Sequence, residues 1–192
     1  MKTAKELEKD IVFNATLHGL SLTFSSTWGL FSPKKIDEGT SLLLKHIPIS
    51  DGQATLDLGC GYGAIGLFIA KASPNGVVHM VDKDYIAVEF ATKNATANKL
   101  RNCHAYLSNA FSEVKDVRFH NVVSNLPAKA GKEMLYIMFS GAREHLLPGG
   151  QIVVVTISGL KEYIRKSFTD IFGNYEKLKQ GKTHVLSKAV RE

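Results

Sequence analysis

From Gln53 onward the chain alternates short β-branched runs with amphipathic stretches, and this rhythm restricts the possible folds more than any other feature. ATLDL (54–58), VVHMVD (77–82), CHAYLS (103–108), NVVSN (121–125) and QIVVVTI (151–157) have the length and residue types of buried strands. Between them lie helical patterns over 64–72, 85–99, 132–146 and 160–171. Leu135, Met138, Phe139, Ala142 and Leu146 recur at three- and four-residue spacing, as do Leu160, Ile164, Phe168 and Ile171. Such stripes are the faces that helices lay against a sheet. Two last segments, near 174–179 and 184–189, flank Gln180-Gly181-Lys182, which reads as a hairpin turn. The expected fold is α/β: a doubly wound, mostly parallel, seven-stranded Rossmann-like sheet with a C-terminal antiparallel hairpin.

Upstream of this rhythm the sequence predicts a short strand/helix extension. Residues 1–12 read as a charged helix, and residues 15–31 as two short strands punctuated by His18-Gly19 and Ser25-Ser26. Asp37 is placed to cap a helix running to Pro48. With 192 residues the expectation is one domain, 1–192, divided into an extension over 1–48 and a core over 53–192.

Composition narrows the function classes. No apolar run reaches the roughly 20 residues of a membrane span, and MKTAKELEKD lacks the apolar centre of a signal peptide. Two cysteines, Cys60 and Cys103, make neither a disulfide framework nor a metal motif, and the seven histidines show no ligand pairing. A cytoplasmic protein without a metal or membrane contact is expected. The net charge of +6 is compatible with a polyanionic partner such as RNA without requiring one.

The chemistry is concentrated in LDLGCGYGAIG (56–66), where a strand runs through a glycine loop into a helix. Such a junction presents free backbone N–H groups to a ligand. Two nucleotide cofactors fit these letters. Gly61, Gly63 and Gly66 spell the G-x-G-x-x-G of dinucleotide sites, with Asp82 following as the ribose acid. That motif needs small apolar residues two and four positions before its first glycine. Here those positions hold Asp57 with either Gly59 or Thr55, and burying an unpaired carboxylate is costly. Asp57-x-Gly59-x-Gly61-x-Gly63 instead matches a site for S-adenosylmethionine (SAM). In that reading Asp57 ends the strand and faces the cofactor's amino group, directly or through water. Gly59, Gly61 and Gly63 let the backbone approach closely, while Gly66 serves helix packing. Asp82 then offers two acceptor oxygens to the ribose diol. Its competing reading is a helix cap.

With these residues in place, the sequence resembles a class I SAM-dependent methyltransferase. More narrowly, it is similar to the methyltransferase small family, which includes guanine-N2 methyltransferases of small-subunit ribosomal RNA. The resemblance is carried by FSPKKIDEGTSLLL (31–44), LDLGCGYGAIG (56–66), SNAFSEV (108–114), VVSNLPAKAGKE (122–133) and FGNYEKLKQGKTHVLSKA (172–189). Bacterial relatives often carry a second, degenerate domain in front, so this chain resembles the single-domain form.

The resemblance implies that Asn109 and Ala110 hold the adenine. It also implies that Asn125, Leu126 and Pro127 form the catalytic segment, where the family has Asn-Pro-Pro. An exocyclic amine on a base is a poor nucleophile, its lone pair being delocalised into the ring. The Asn125 side-chain oxygen and a neighbouring main-chain carbonyl would grip its hydrogens and align its nitrogen with the methyl. Leu126 replaces the family's first proline, yet preceding Pro127 still biases it toward extended geometry. Ala128 removes an aromatic wall for the base, leaving Phe31, Trp28 or Phe111 as replacements. Trp28, set among small polar residues, is expected to be exposed. Lys129 and Lys132 are candidate phosphate contacts and Phe31 a candidate substrate contact.

The function so implied is methyl transfer from SAM to an exocyclic base amine of RNA, with guanine N2 of small-subunit ribosomal RNA favoured. The partner is then ribosomal RNA or the small subunit, with the oligomeric state open. A methyltransferase for a metabolite or a protein amide, and a SAM-binding module without catalysis, are the alternatives.

Overall fold

The computed structural model describes residues 10–127 and 130–192. Strands β1 (Ile11–Leu17) and β2 (Leu20–Ser26) form an antiparallel hairpin, and helix α1 (Glu38–His46) follows. The core then runs β3 (Ala54–Leu58), α2 (Ala64–Ala72), β4 (Val77–Asp82), α3 (Tyr85–Ala97), β5 (Cys103–Leu107) and β6 (Phe119–Asn125). It closes with α4 (Lys132–His145), β7 (Leu146–Ile157), α5 (Lys161–Phe172), β8 (Glu176–Gln180) and β9 (His184–Val190).

The seven core strands lie in the order β5-β4-β3-β6-β7-β9-β8. The first five are parallel, and β9 inserts antiparallel between β7 and β8. This is the mostly parallel sheet with an antiparallel C-terminal hairpin that the alternating rhythm implied. Its central strands β3, β6 and β7 are mostly buried on both sides because helices cover both faces. Val153 and Val155 of β7 join the core beneath α1, α2 and α3, together with Leu43, Leu67 and Met80. Ile152 and Val154 of the same strand join Leu135, Phe139, Ile164 and Phe168 of α4 and α5. From β3 the chain steps outward to β4 and β5, then returns to β6 on the other flank. The crevice at the carboxyl ends of β3 and β6 is therefore the switch point where such sheets bind ligands.

Several boundaries differ from the sequence reading by one to five residues, and three bear on the architecture. Residues 1–9 lie outside the described set, but Ile11 and Val12 are strand, paired with Ser26 and Ser25, instead of the end of a charged helix. Inward and outward positions alternate along β1, a pattern that the neighbouring charges obscure in the sequence. The hairpin therefore spans 11–26 and turns at His18-Gly19, where φ is +49° and +76°. Leu146, expected to end a helix, instead begins β7 opposite Phe119.

The hairpin is fastened to the core by two asparagines one turn apart, Asn94 on α3 and Asn98 at its C-terminal cap. Asn94 accepts from the Ser25 N–H at 2.7 Å and donates to the Ser25 and Tyr62 carbonyls. Asn98 accepts from the Thr23 N–H at 2.9 Å and donates to the Thr23 carbonyl. Each amide thus imitates a neighbouring strand along β2, whose free backbone groups need partners. Among the described residues, no helix is long and apolar enough to cross a membrane.

Candidate active site

A cleft of about 1020 Å³ opens at the switch point. It lies at the upper end of the roughly 300–1,000 Å³ usual for small-molecule sites. Its walls include Gly59 to Tyr62 after β3, Asp82 at the end of β4, Asn109 and Ala110 after β5, Asn125 at the end of β6 with Leu126 and Pro127 beyond it, and Asp37 with Thr40 at the start of α1.

The loop after β3 is built on backbone geometry that only glycine adopts easily. Gly59, Gly61 and Gly63 have φ of +77°, +55° and +89°. The Cβ positions of Gly59 and Gly61 face open space, so the bare main chain forms that wall of the cleft. Gly66 has a different task. A Cβ there would stand 2.4 Å from Met80 Cγ, so its absence lets α2 lie directly on β4.

Asp82 sits at the side of this cradle. Its carboxylate accepts from the Gly61 N–H at 2.9 Å and the Asp84 N–H at 3.0 Å. A carboxylate has lone pairs to spare after two such bonds. Asp84, not Asp82, caps α3 by accepting from Ile86 N–H, which leaves Asp82 available to the cleft.

Of the two arrangements expected for Asp57, the direct one is not seen, which leaves the one through water. Its side chain is fully buried beneath the glycine loop, where Oδ2 accepts the Gly66 N–H at 2.8 Å. Among the described residues Oδ1 has no hydrogen-bond partner. Burial, with a smaller push from nearby Asp82 and against the Gly66 bond, raises its carboxyl to about 7. Asp57 does not line the cleft, so it shapes the loop from below instead of facing a ligand directly.

Ser108 accepts from the Glu113 N–H and donates to the Ala110 carbonyl, holding the loop after β5. Ala110 has a φ of +52°, a left-handed conformation that costs an alanine about 1–2 kcal/mol. Strain of this kind gathers at ligand clamps. The exposed Asn109 lines the cleft.

The end of β6 and the loop after it carry the most directional chemistry. Asn125 Nδ2 donates to Thr40 Oγ1 at 2.9 Å and to both Asp37 carboxylate oxygens at 3.2 Å. Its Oδ1 accepts nothing from the described residues. Leu126 N–H donates to the Val155 carbonyl at 3.0 Å, extending the ladder between β6 and β7. The donor that distinguishes leucine from proline is therefore used, and the Leu126 side chain is buried. Pro127's carbonyl accepts from Ala130 N–H, which leaves that of Leu126 free of a described partner. Ala128 and Lys129, the latter a candidate phosphate contact, lie outside the described residues.

Of the three aromatic candidates, Phe31 lines the cleft and is 71% exposed. Phe111 is stacked on His145 at 4.7 Å. Trp28 is half-buried, with Lys34 Nζ 4.6 Å from its ring centroid, instead of standing exposed. Lys132 directs its ammonium to the Tyr163 ring, 5.6 Å from the centroid, and is not among the cleft-lining residues. The sequence reading missed Thr40 and His184. The His184 ring packs where a Cβ on Gly39 would sit and so borders the cleft. The helix-cap spacing of Asp37 and Thr40 was the available signal for Thr40; nothing local marked His184.

The open glycine cradle, the carboxylate beside it and the cleft's size fit S-adenosylmethionine. The strand order with its inserted antiparallel strand, and the glycine-lined crevice at the switch point, define the class: a class I SAM-dependent methyltransferase. Within that class, the chain belongs to the methyltransferase small domain family, whose model matches residues 21–188. It is 34% identical over 178 residues to the Bacillus subtilis protein YbxB, covering 90% of this chain and 88% of that one. It is 36% identical to the ribosomal RNA small subunit methyltransferase C of Haemophilus influenzae, covering 87% of this chain and 51% of that protein. A Cronobacter sakazakii ribosomal RNA large subunit methyltransferase G is 31% identical, with 91% and 48% covered. The Thermus thermophilus 16S rRNA N2 G1207 methyltransferase, solved with AdoMet and guanosine, superimposes with a TM-score of 0.87. That pair is 27% identical, over 95% of this chain and 51% of the other. The chain thus spans about half the length of the named ribosomal RNA methyltransferases that it matches.

Proposed function

We propose that this protein transfers a methyl group from SAM to an exocyclic amine of a base in ribosomal RNA, guanine N2 of the small subunit being the favoured target. One observation carries the proposal: the Asn125 amide has its N–H groups tied back and, among the described residues, its carbonyl oxygen unengaged at the cleft. A single-sided acceptor in that place suits a planar amine. The relatives named for ribosomal RNA methylation, and the one solved with guanosine, support the nucleic-acid substrate class.

Bound SAM would supply an electrophilic methyl group, its S–CH3 bond breaking as the N–CH3 bond forms, with S-adenosylhomocysteine leaving as the neutral thioether and the amine's surplus proton passing to water. The chain's own task is positioning. The main chain at Gly59 and Gly61 would lie along the cofactor, Asp82 would accept from its ribose and Asn109 would border its adenine. Asn125 Oδ1 and the Leu126 carbonyl accept the two amine hydrogens, turning the nitrogen lone pair toward the methyl and favouring the charge that develops there. No strong base is required, because the alkylated cationic nitrogen is acidic. Phe31, at the rim, offers a face on which a base can stack. The base must be unpaired or flipped to enter.

The test is methyl transfer from labelled SAM to undermethylated small and large ribosomal subunits and to naked RNA, with Asn125→Ala as control and nucleoside analysis of the product. Label in N2-methylguanosine of the small subunit, sharply reduced but still measurable with Asn125→Ala, is the expected result. Label confined to the large subunit would move the target, as the relationship to methyltransferase G allows. Absence of label from every RNA, with SAM binding intact, would overturn the reading in favour of a metabolite, a protein amide or a binding module.

A further inference from the structure

We infer that Asp37 and Thr40 are positioning residues that set the orientation of the Asn125 amide and so define which of its two ends meets the substrate. The inference rests on the proposed role of Asn125 in gripping an amine. A side-chain amide is nearly symmetric in shape, so Asn125 could present either a donor or an acceptor to the cleft. Its surroundings remove that freedom. A carboxylate without a proton only accepts, so the amide nitrogen must be the end that faces Asp37. One N–H goes to Thr40 Oγ1 at 2.9 Å, and the other is shared between the two Asp37 oxygens at 3.2 Å. With both hydrogens consumed, only the carbonyl oxygen remains for a ligand.

Asp37 is itself immobilised. As the N-cap of α1 it accepts from Gly39 N–H at 2.9 Å and Thr40 N–H at 3.2 Å. A charge behind the nitrogen also draws the amide dipole so that its oxygen becomes the more negative end. An acceptor so polarised is matched to an amine that gains positive charge during transfer. An unlocked amide would spend part of its time with N–H groups toward the substrate, repelling the amine's hydrogens.

The test uses Asp37→Asn, Thr40→Val and Asn125→Ala in the full chain. Asparagine caps helices as well as aspartate, so α1 is retained while the acceptor-only partner is lost. The expected result for Asp37→Asn is a fall in kcat of roughly tenfold to a hundredfold, with SAM affinity unchanged. In the Asn125→Ala background Asp37→Asn should cost nothing more, because its effect runs through the missing amide. Additive losses would overturn the inference and give Asp37 a contact of its own. A second readout needs no activity. The Asn125 side-chain amide protons, assigned by their absence in Asn125→Ala, should exchange slowly with solvent in the native protein and rapidly in Asp37→Asn and Thr40→Val. Fast exchange in the native protein would refute the lock. Slow exchange in a protein that methylates no RNA would keep the lock and refute only the substrate reading.

Discussion

Asp57 accepts the backbone N–H of Gly66 at 2.8 Å, joining the strand that precedes the glycine loop to the helix that follows it. The bond fixes both ends of a loop whose middle is bare main chain. It also explains an acid in a fully buried position of β3. The carboxylate substitutes for the helix-terminal partner that the Gly66 N–H otherwise lacks. The arrangement holds one titratable group in the core directly beneath the cofactor cradle.

That group sets a pH dependence. Burial raises the Asp57 carboxyl to about 7 from its ordinary value of 3.8. Between those values the folded state holds a proton that the unfolded state has lost, so stability falls as pH rises from about 4 to about 7. Asp57→Asn keeps an acceptor for Gly66 and removes the charge. Urea unfolding of the cofactor-free protein from pH 5 to pH 8 should show a downward slope that flattens in the variant. Parallel profiles would show that Asp57 stays ionised throughout.

Asp82 joins the cradle to the cleft through Gly61 N–H and Asp84 N–H. Asp82→Ala should weaken SAM binding by roughly tenfold to a hundredfold, the equivalent of losing a charge-assisted hydrogen bond of about 1.5–3 kcal/mol. Calorimetric titration measures this. Because Asp84 caps α3 independently, the helix should persist, as circular dichroism would register. An unchanged affinity would remove Asp82 from the cofactor site.

Leu126→Pro restores the family's proline at the cost of the hydrogen bond to the Val155 carbonyl. It also withdraws a buried leucine from the core that α4 and α5 share. A loss of about 1–3 kcal/mol in unfolding free energy is expected from the orphaned carbonyl alone. Denaturant titration checks it. A variant as stable as the native protein would mean that the loop re-forms around the proline.

Asn94→Ala removes the bonds from α3 to Ser25 and Tyr62. The N-terminal hairpin should then loosen before the sheet does, since Asn98 still holds Thr23. Hydrogen exchange should accelerate at Ser25 while amides of β3 and β6 keep their protection. Equal acceleration everywhere would mean that hairpin and core unfold as one unit.

Much of the architecture is local and was therefore readable. The strand at 54–58, the helix at 64–72 and the strand at 77–82 were placed residue for residue from apolar runs and glycine punctuation. The Asp37 cap followed from an acid before a helical stripe. The N-terminal strand was not legible in this way, and the cause is physical. Ile11 to Phe13 form a strand only because β2 lies opposite, and one pairing partner cannot be seen from the other's sequence.

The amino-acid sequence by itself determined the βα rhythm, the glycine loop with its two acids, and the order of the segments that mark the family. These depend on periodicity and on backbone conformations that specific residues permit. Only the tertiary structure decided which groups those acids serve. Asp57 lies beneath the loop and Asp82 beside the cleft. It alone placed Asp37 against Asn125, 88 residues further along the chain. A hydrogen bond between distant segments has no sequence period. It exists because the sheet delivers the end of β6 to the start of α1, and because a carboxylate there leaves the amide only one way to turn.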